Sequence, residues 1–291
     1  MNILITGVNG LIGKAIAHEL LGGNNIIGLS RAIINKTNLP INYLSVNISD
    51  RIFFDFIKDK KIDCIVHCAA SLDKNPLSED LIMTNCMGIR NLAYLAITKK
   101  IKQFIYLSSI TMIGKPVELP ITEEHPVSPL IPYLTTKYFG ELYLNNTLKE
   151  CNVTILRIPS PIGVELSENK ILPVFIKRSI NNEDIFLLGK GNRIQNYIDV
   201  KDIGKAVNLA IQKNVRKVYN IAAEKSYSNS ELAEICIKLN DSKSKIVYEG
   251  IDLEEENKWI VSIEKAKKDL NFHPSISLED SIKEISKLFI I

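Results

Sequence analysis

The opening stretch of the chain leaves it few folds to choose from. Met1-Asn2-Ile3-Leu4-Ile5-Thr6 is a short apolar run, and Gly7-Val8-Asn9-Gly10-Leu11-Ile12-Gly13 leads straight into Lys14-Ala15-Ile16-Ala17-His18-Glu19-Leu20-Leu21. The first run reads as a buried strand, and the last as a helix with apolar residues at three- and four-residue spacing. Glycines at 7, 10 and 13 between them make a tight turn, let backbone approach a phosphate, and bring the helix close to the sheet. The positive N-terminal end of that helix then points at the ligand. A strand, this loop and a helix in that order predict a dinucleotide site at the head of a parallel sheet.

The next stretches keep the rhythm. Asn25-Ile26-Ile27-Gly28-Leu29-Ser30 is a second strand, Tyr43-Leu44-Ser45-Val46 a third, and Asn47-Ile48-Ser49-Asp50 leads into a helix through Lys58. Ile62 to Ala70 is a fourth strand running into small residues, followed by a long helix from about Ser78 to Lys99 that carries Asn85. Phe104-Ile105-Tyr106-Leu107-Ser108-Ser109 is a fifth strand. Prolines at 116, 120, 126, 129 and 132 make the next segment a surface loop. Tyr133 to Lys149 is a helix, and Val153 to Arg157 the sixth strand. Such alternation predicts an α/β fold with a Rossmann-like, doubly wound parallel sheet built mainly from residues 1–160. From 161 to 291 the pattern loosens into a smaller mixed α/β substrate lobe that returns some elements to the main sheet. In this half we expect a helix near 172–181, strands at 185–188 and 195–198, a helix after Asp199-Val200-Lys201-Asp202, and a strand at 218–221. Ser228-x-x-Glu231 is a capping box for a helix to Leu239, and Ser277 can cap the last helix. A ligand would lie between the lobes, above the C-terminal strand ends.

Composition removes other classes. The 291 residues, 46% of them hydrophobic, can bury a sizeable core. Net charge is +3, evenly spread, so no electrostatic footprint for nucleic acid is seen. No apolar run approaches the ~20 residues of a membrane span. A core strand beginning at residue 2 leaves no room for a signal peptide. Five scattered cysteines without a CxxC pair read as buried thiols in a reducing cytoplasm. We find no spaced His/Cys/carboxylate set for a metal. His67 is expected to pack at a strand end, His18, His125 and His273 to lie at the surface, Asp199 and Asp202 to cap a helix, and Trp259 to join the core.

Two features carry the chemistry. At the end of the second strand, about twenty residues past the glycines, an NAD-binding chain usually has Asp or Glu for the ribose hydroxyls. Here the pair is Ser30-Arg31, which suits the 2′-phosphate of NADP(H) over NAD(H) through charge-assisted bonds. Further on, Tyr133-x-x-x-Lys137 puts a phenol and an ammonium on one helix face. The ammonium should lower a phenol pKa that is normally ~10, so that Tyr133 exchanges a proton near neutral pH. Ser109, at a strand end, could hold the same substrate oxygen.

With these residues in place, the sequence resembles the extended short-chain dehydrogenase/reductase family, especially its nucleotide-sugar epimerases, dehydratases and reductases. The resemblance runs from Met1 to about Pro274. It implies that Gly7, Asn9, Gly10, Leu11 and Ile12 form the cofactor loop, with Ser30 and Arg31 next to it. Asn47 and Ile48 would touch adenine, and Cys68, Ala69 and Ala70 would line the cofactor. Asn85 would support the site, and Pro159 would lie on the stretch passing the nicotinamide. Ser109, Tyr133 and Lys137 match the catalytic Ser/Thr, Tyr and Lys, and Tyr133 and Lys137 would also touch the cofactor. On the substrate side it implies Ser71, Ser109, Thr111, Ser160, Arg193 and Gln195. Dimerisation through the helices near 80–99 and 133–149 is a further implication.

The departures narrow the reaction. Ile110-Thr111 stands where the 4,6-dehydratases carry Asp-Glu, Ser160 where an asparagine often meets the pyrophosphate, and Gln195 where an arginine is expected, with Arg193 two residues earlier. No cysteine lies between Cys86 and Cys151, which removes the Cys/His pair of the epimerase-reductases. Redox chemistry at a sugar carbinol or ketone, C4 of a nucleotide-activated hexose, is the leading expectation. Two outcomes share the machinery. A 4-ketoreductase exchanging NADP(H) is favoured slightly by Ser30-Arg31, and a 4-epimerase keeping NAD bound is the alternative. A non-catalytic NADP-sensing protein on the same fold would tend to have lost the Tyr/Lys pair.

Overall fold

The computed structural model describes residues 1–73 and 75–290. Strands β1 (Asn2–Thr6), β2 (Asn25–Ser30), β3 (Asn42–Ser45), β4 (Cys64–His67), β5 (Gln103–Ser109) and β6 (Asn152–Ile158) form one parallel sheet, in the order β3-β2-β1-β4-β5-β6. A later strand, Val218–Asn220, pairs in parallel with β6 and completes a seven-stranded sheet. The order reverses between β1 and β4, so the crevice of the fold opens there, at the C-terminal strand ends.

The central strands read as unbroken apolar runs because helices cover both faces. Their alternation sorts side chains between two cores. Ile3 and Ile5 of β1, Val66 of β4 and Ile105 of β5 join one core, with Ile16 and Leu20 of α1 (Leu11–Leu20). Leu4, Ile65 and Phe104 point the other way, to Phe53 and Ile57 of α2 (Phe53–Ile57). The same core takes in the long helical run after β4. That run starts as α3 (Glu79–Ile82), passes through a π-helical turn at Met83–Met87, and continues as α4 (Gly88–Thr98). Leu92, Ala93 and Ala96 of α4 and Leu144 of α5 (Pro132–Thr147) fill it.

The second half begins with β7 (Ser160–Ile162), α6 (Ile171–Ile180), β8 (Ile185–Leu188), β9 (Ile194–Asp199) and α7 (Val200–Lys213). The seventh sheet strand is β10 (Val218–Asn220), followed by β11 (Ser226–Ser228), α8 (Asn229–Leu239), β12 (Ile246–Glu249), α9 (Glu264–Leu270) and α10 (Leu278–Ser286). β9 pairs with β7 and β11 in a small mixed sheet, and β8 pairs with β12. α6, α8 and α10 pack over a third core holding Phe175, Tyr197, Leu232 and Ile282. The predicted capping box at Ser228 and Glu231 forms, and Ser277 Oγ accepts from the Asp280 amide. The three-residue strands β7 and β11, and the elements β12 and α9, are absent from the sequence reading. The first two are too short to leave a period.

Three expectations need correction. The proline-rich segment is only partly at the surface: Ile121 is fully buried and bridges to Val261. His125 is 4% exposed rather than a surface residue. Its Nε2 accepts from the Val117 amide at 3.0 Å, and Nδ1 lies 2.8 Å from the Pro126 carbonyl, so the ring ties the loop to itself. Asp199 caps α7 through the Lys201 amide. Asp202 instead accepts from the amides of Ser275 and Ile276 and fastens the segment before α10.

One buried ion pair joins the layers behind the sheet's reactive end. Arg157 Nε and Nη2 donate to the two carboxylate oxygens of Glu141 at 3.1 and 2.8 Å, and Nη1 donates to the Glu123 carbonyl. Breaking such a pair strands a buried charge. Glu141→Ala should therefore cost about 3–5 kcal/mol of unfolding free energy, and adding Arg157→Met should restore most of it. Urea denaturation of both variants checks this, and a loss below about 1 kcal/mol for Glu141→Ala would show a pair still solvated.

Candidate active site

The glycine loop does what its spacing predicts. Gly7 has φ +70°, open to glycine at little cost, and a Cβ there would stand 2.7 Å from Ala69 Cα. At Gly13 a Cβ would meet the Gly7 carbonyl oxygen at 2.2 Å, so α1 comes this close to the loop only without a side chain. Gly10 is the N-cap of α1, without a side-chain cap and without an acidic residue in the first turn. The amides that open α1, Leu11 and Ile12 among them, are thus left for an anion.

Beside this loop lies a cleft of about 200 Å³. Gly7, Gly10, Ser30, Arg31, Asn47, Ile48, Cys68, Ala69 and Ala70 line it, joined by Leu29, Val46 and Thr84, which the sequence reading missed. The floor without side chains and the uncapped helix end fit the pyrophosphate and adenosine of a dinucleotide. Asn9 takes a different part: its amide donates to the Ile34 carbonyl and Tyr43 hydroxyl and accepts from the Lys36 amide, which fastens the loop after β2. Arg31 does not stand free either. Its Nη1 donates to Asp80 Oδ1 at 2.5 Å.

Supporting polar groups come from the helical run after β4. Asn85 sits inside the π-helical turn, where its side chain accepts from the Ser71 amide and donates to the Ser71 carbonyl and to Thr136 Oγ1. Such turns are frequent at functional sites. Asn91 donates to the carbonyls of Ile48 and Ser49 and fixes that edge of the cleft. Polar residues on the buried stripe of an otherwise apolar helix are the signal that would have singled out Asn91 and Thr84.

At the other side of the crevice α5 opens with Pro132 in its first turn and packs on β5 and on the 3₁₀ turn Ile110–Ile113. Lys137 Nζ donates to the Leu107 carbonyl at 2.7 Å and lies 4.9 Å from the centre of the Tyr106 ring. Two residues beyond Leu107, Ser109 Oγ is 2.8 Å from Thr111 Oγ1. Burial lowers the Lys137 ammonium to about 8, and pushes the Tyr133 phenol up to about 12. The expectation that Lys137 depresses the Tyr133 pKa is therefore corrected for the protein alone. The ammonium is spent on Leu107 and Tyr106, and desolvation of the phenolate wins. Behind them His67, hydrogen-bonded to Thr6 Oγ1 at 2.7 Å and stacked on Tyr106, is held neutral, its pKa lowered to about 3 by burial and then by Lys137.

The substrate-side residues fall into two groups. Ser71, Ser109 and Thr111 lie at the main-sheet end, and Pro159 is half-buried between β6 and β7. Ser160 opens β7 opposite Tyr197 of β9, and Gln195 lies two residues earlier on β9. Arg193, just before β9, is ion-paired with Glu254, and the Gln195 amide oxygen, turned toward it, accepts from its Nε at 2.7 Å. Among the described residues no group of three His, Cys, Asp or Glu is arranged to hold a metal ion, and no helix is long and apolar enough to cross a membrane.

Comparison with known proteins gives this geometry a family. Over 97% of this chain and 96% of its own length, a putative UDP-glucose 4-epimerase of Methanocaldococcus jannaschii is 28% identical. A UDP-N-acetyl-alpha-D-glucosaminuronate decarboxylase of Bacillus cytotoxicus is also 28% identical, over 98% of this chain and 97% of its length. Among solved structures, the UDP-glucose 4-epimerase of Thermotoga maritima with UDP-glucose superposes with a TM-score of 0.90 at 25% identity, covering 99% of this chain and 98% of that one. The sequence model of the NAD dependent epimerase/dehydratase family matches residues 3–222. With its parallel sheet, its glycine loop and its Tyr133-x-x-x-Lys137 helix, the chain belongs to the NAD dependent epimerase/dehydratase family, enzymes of the extended short-chain dehydrogenase/reductase type.

Proposed function

We propose that this enzyme is a nucleotide-sugar 4-epimerase, oxidising the C4 carbinol of a nucleotide-activated hexose and returning the hydride to the opposite face. The observation that carries the reading is the seating of the Tyr133–Lys137 turn against the end of β5, where Lys137 bonds Leu107 two residues from the Ser109–Thr111 pair. The likeness to the putative UDP-glucose 4-epimerase of M. jannaschii and the UDP-glucose 4-epimerase of T. maritima supports it. Bound in the glycine-loop cleft, a nicotinamide dinucleotide would supply the hydride exchange and, when oxidised, a positive charge. Tyr133 takes the proton of the C4 hydroxyl and gives it back, and Ser109, oriented by Thr111, donates to the same oxygen. Lys137 steadies the ionised phenol, offsetting the desolvation that otherwise holds Tyr133 protonated. Gly7, Gly10, Leu11, Ile12, Ser30, Arg31, Asn47, Ile48, Cys68, Ala69, Ala70 and Pro159 hold the dinucleotide, with Asn9 acting through the loop after β2 and Asn85 through Ser71 and Thr136. Ser71, Thr111, Ser160, Arg193 and Gln195 hold the sugar nucleotide. Ile110-Thr111 gives no Asp-Glu pair for dehydration. Free thiols throughout the described chain support a reducing cytoplasmic setting.

A second reading, an NADP(H)-dependent 4-ketoreductase, is favoured by Ser30-Arg31. The two differ in what they consume. Purified protein should be assayed for its retained dinucleotide and then offered UDP-, dTDP-, GDP- and CDP-hexoses with their 4-keto forms. Interconversion without net cofactor change supports the epimerase, and oxidation of NADPH by a 4-keto sugar selects the reductase.

Three results should follow. Tyr133→Phe removes one phenolic proton, so turnover should fall by ~10²-fold or more while dinucleotide affinity is kept. Retention of a tenth of the activity, roughly, would refute the assignment. Lys137 has a folded pKa of about 8, below its unfolded 10.5, so the charged side chain costs stability below pH 8 and the cost is relieved as pH rises toward 10.5. Lys137→Met should therefore inactivate the enzyme yet stabilise the dinucleotide-free protein at neutral pH by up to about 3 kcal/mol, an advantage that shrinks in alkali. Thermal unfolding at several pH values reads this directly. Finally, Met83, Met87, Tyr94 and Ile97 form an exposed apolar stripe beside Phe139 and Leu142 of α5, a face suited to a second copy of the chain. Sedimentation should find a dimer that Tyr94→Glu with Phe139→Glu converts to monomer, and a monomeric wild type would end that proposal.

A further inference from the structure

The rim of the glycine-loop cleft carries a charge pair between Arg31 and a carboxylate from another element. β2 ends in Ser30, with no carboxylate where a ribose would be held, and Arg31 follows it. A carboxylate nevertheless reaches this rim from another element. Asp80 stands in the first turn of α3, and its Oδ1 accepts from both Arg31 Nη1 at 2.5 Å and Thr84 Oγ1 at 3.1 Å. Arg31 and Thr84 both line the cleft, so Asp80 grips two of its walls. Its carboxyl is held below the usual range, first by a hydrogen bond from Ser71 and then by those from Thr84 and Arg31, which keeps it charged at working pH.

We propose that Asp80 is a cofactor-selectivity residue. By engaging the Arg31 guanidinium, it offsets the charge that would draw a 2′-phosphate and tilts the cleft toward the dinucleotide that lacks one. The proposal rests on the reading of this cleft as the adenosine end of a dinucleotide site. A dianionic phosphate entering here must either take Arg31 from Asp80, leaving an uncompensated carboxylate beside it, or leave the pair intact and find no free cation, and both weaken its binding. NAD(H) asks neither. Arg31 alone would point to NADP(H), whereas the pair points to NAD(H), as retained by an epimerase.

Binding isotherms for NAD(H) and NADP(H), on protein stripped of dinucleotide, test the assignment without any sugar substrate. Asp80→Asn should tighten NADP(H) about threefold or more and leave NAD(H) nearly unchanged, and the gain should fade in about 0.5 M salt. In an Arg31→Ala background the same substitution should give a much smaller gain, because the residue acts through Arg31. An unchanged NADP-to-NAD ratio, equal weakening of both, or an undiminished gain without Arg31 would each overturn the proposal. Wild-type protein that binds neither dinucleotide would remove the cleft reading itself, and Asp80's part with it. Normal NAD(H) binding with an unchanged ratio would remove only the latter.

Discussion

Everything at the reactive end of this molecule depends on a backbone approach that admits no side chain. With a Cβ on Gly13 only 2.2 Å from the Gly7 carbonyl oxygen, α1 leaves the sheet at a distance that other residues cannot match. That approach leaves the uncapped N-terminus of α1 against the cleft and sets the level at which α1 meets the rest of the chain. α7 lies along α1 with Gly204 turned to it, where a Cβ would stand 3.2 Å from the Ala15 carbonyl oxygen. At the start of α7, Asp199 and Asp202 hold Ser281 and the 275–276 backbone. The glycine loop and the C-terminal helix are thus connected through the close α1–α7 contact and the hydrogen bonds of Asp199 and Asp202.

Burial supplies the electrostatics of the other half of the site. Lys137, Tyr133 and His67 are all displaced toward their neutral forms, and desolvation is the leading cause for each. A protein that keeps a lysine 5% exposed, with one carbonyl and one aromatic face for company, accepts a cost in stability. Such a cost is easiest to understand where the charge has a task once ligands fill the crevice. Glu141 lies one turn beyond Lys137, locked to Arg157, and adds negative charge that partly counters the lysine's desolvation. The buried ion pair thereby serves the helix packing and also acts on the Lys137 charge.

Much of this was legible in the residues. Glycine spacing, strand runs of alternating cores and the Tyr-Lys spacing are local, and the physics that reads them is local too. The chain's polar supports were less legible. Asn85 could be assigned through resemblance, but that it stands in a π-helical turn, bonding Ser71 and Thr136 at once, depends on which loops arrive beside it. His125 reads as a surface residue in the sequence, and it is buried because Val117 and Pro126 fold back on its ring. Asn9 sits in the glycine loop and yet serves the loop after β2.

By itself the sequence determined the strand and helix order of the first half, the parallel sheet, the glycine turn and the face that carries Tyr133 and Lys137. Each of these follows from side-chain period or from what a backbone without Cβ can do. Tertiary structure decided the charges. Whether Tyr133 is easy or hard to ionise depends on the water that packing removes, and spacing along a helix does not encode that. Whether Arg31 is a free cation or a paired one depends on Asp80, 49 residues away in the chain, meeting it across the cleft. Charge is set by everything within a few ångströms, and only the fold says what that is.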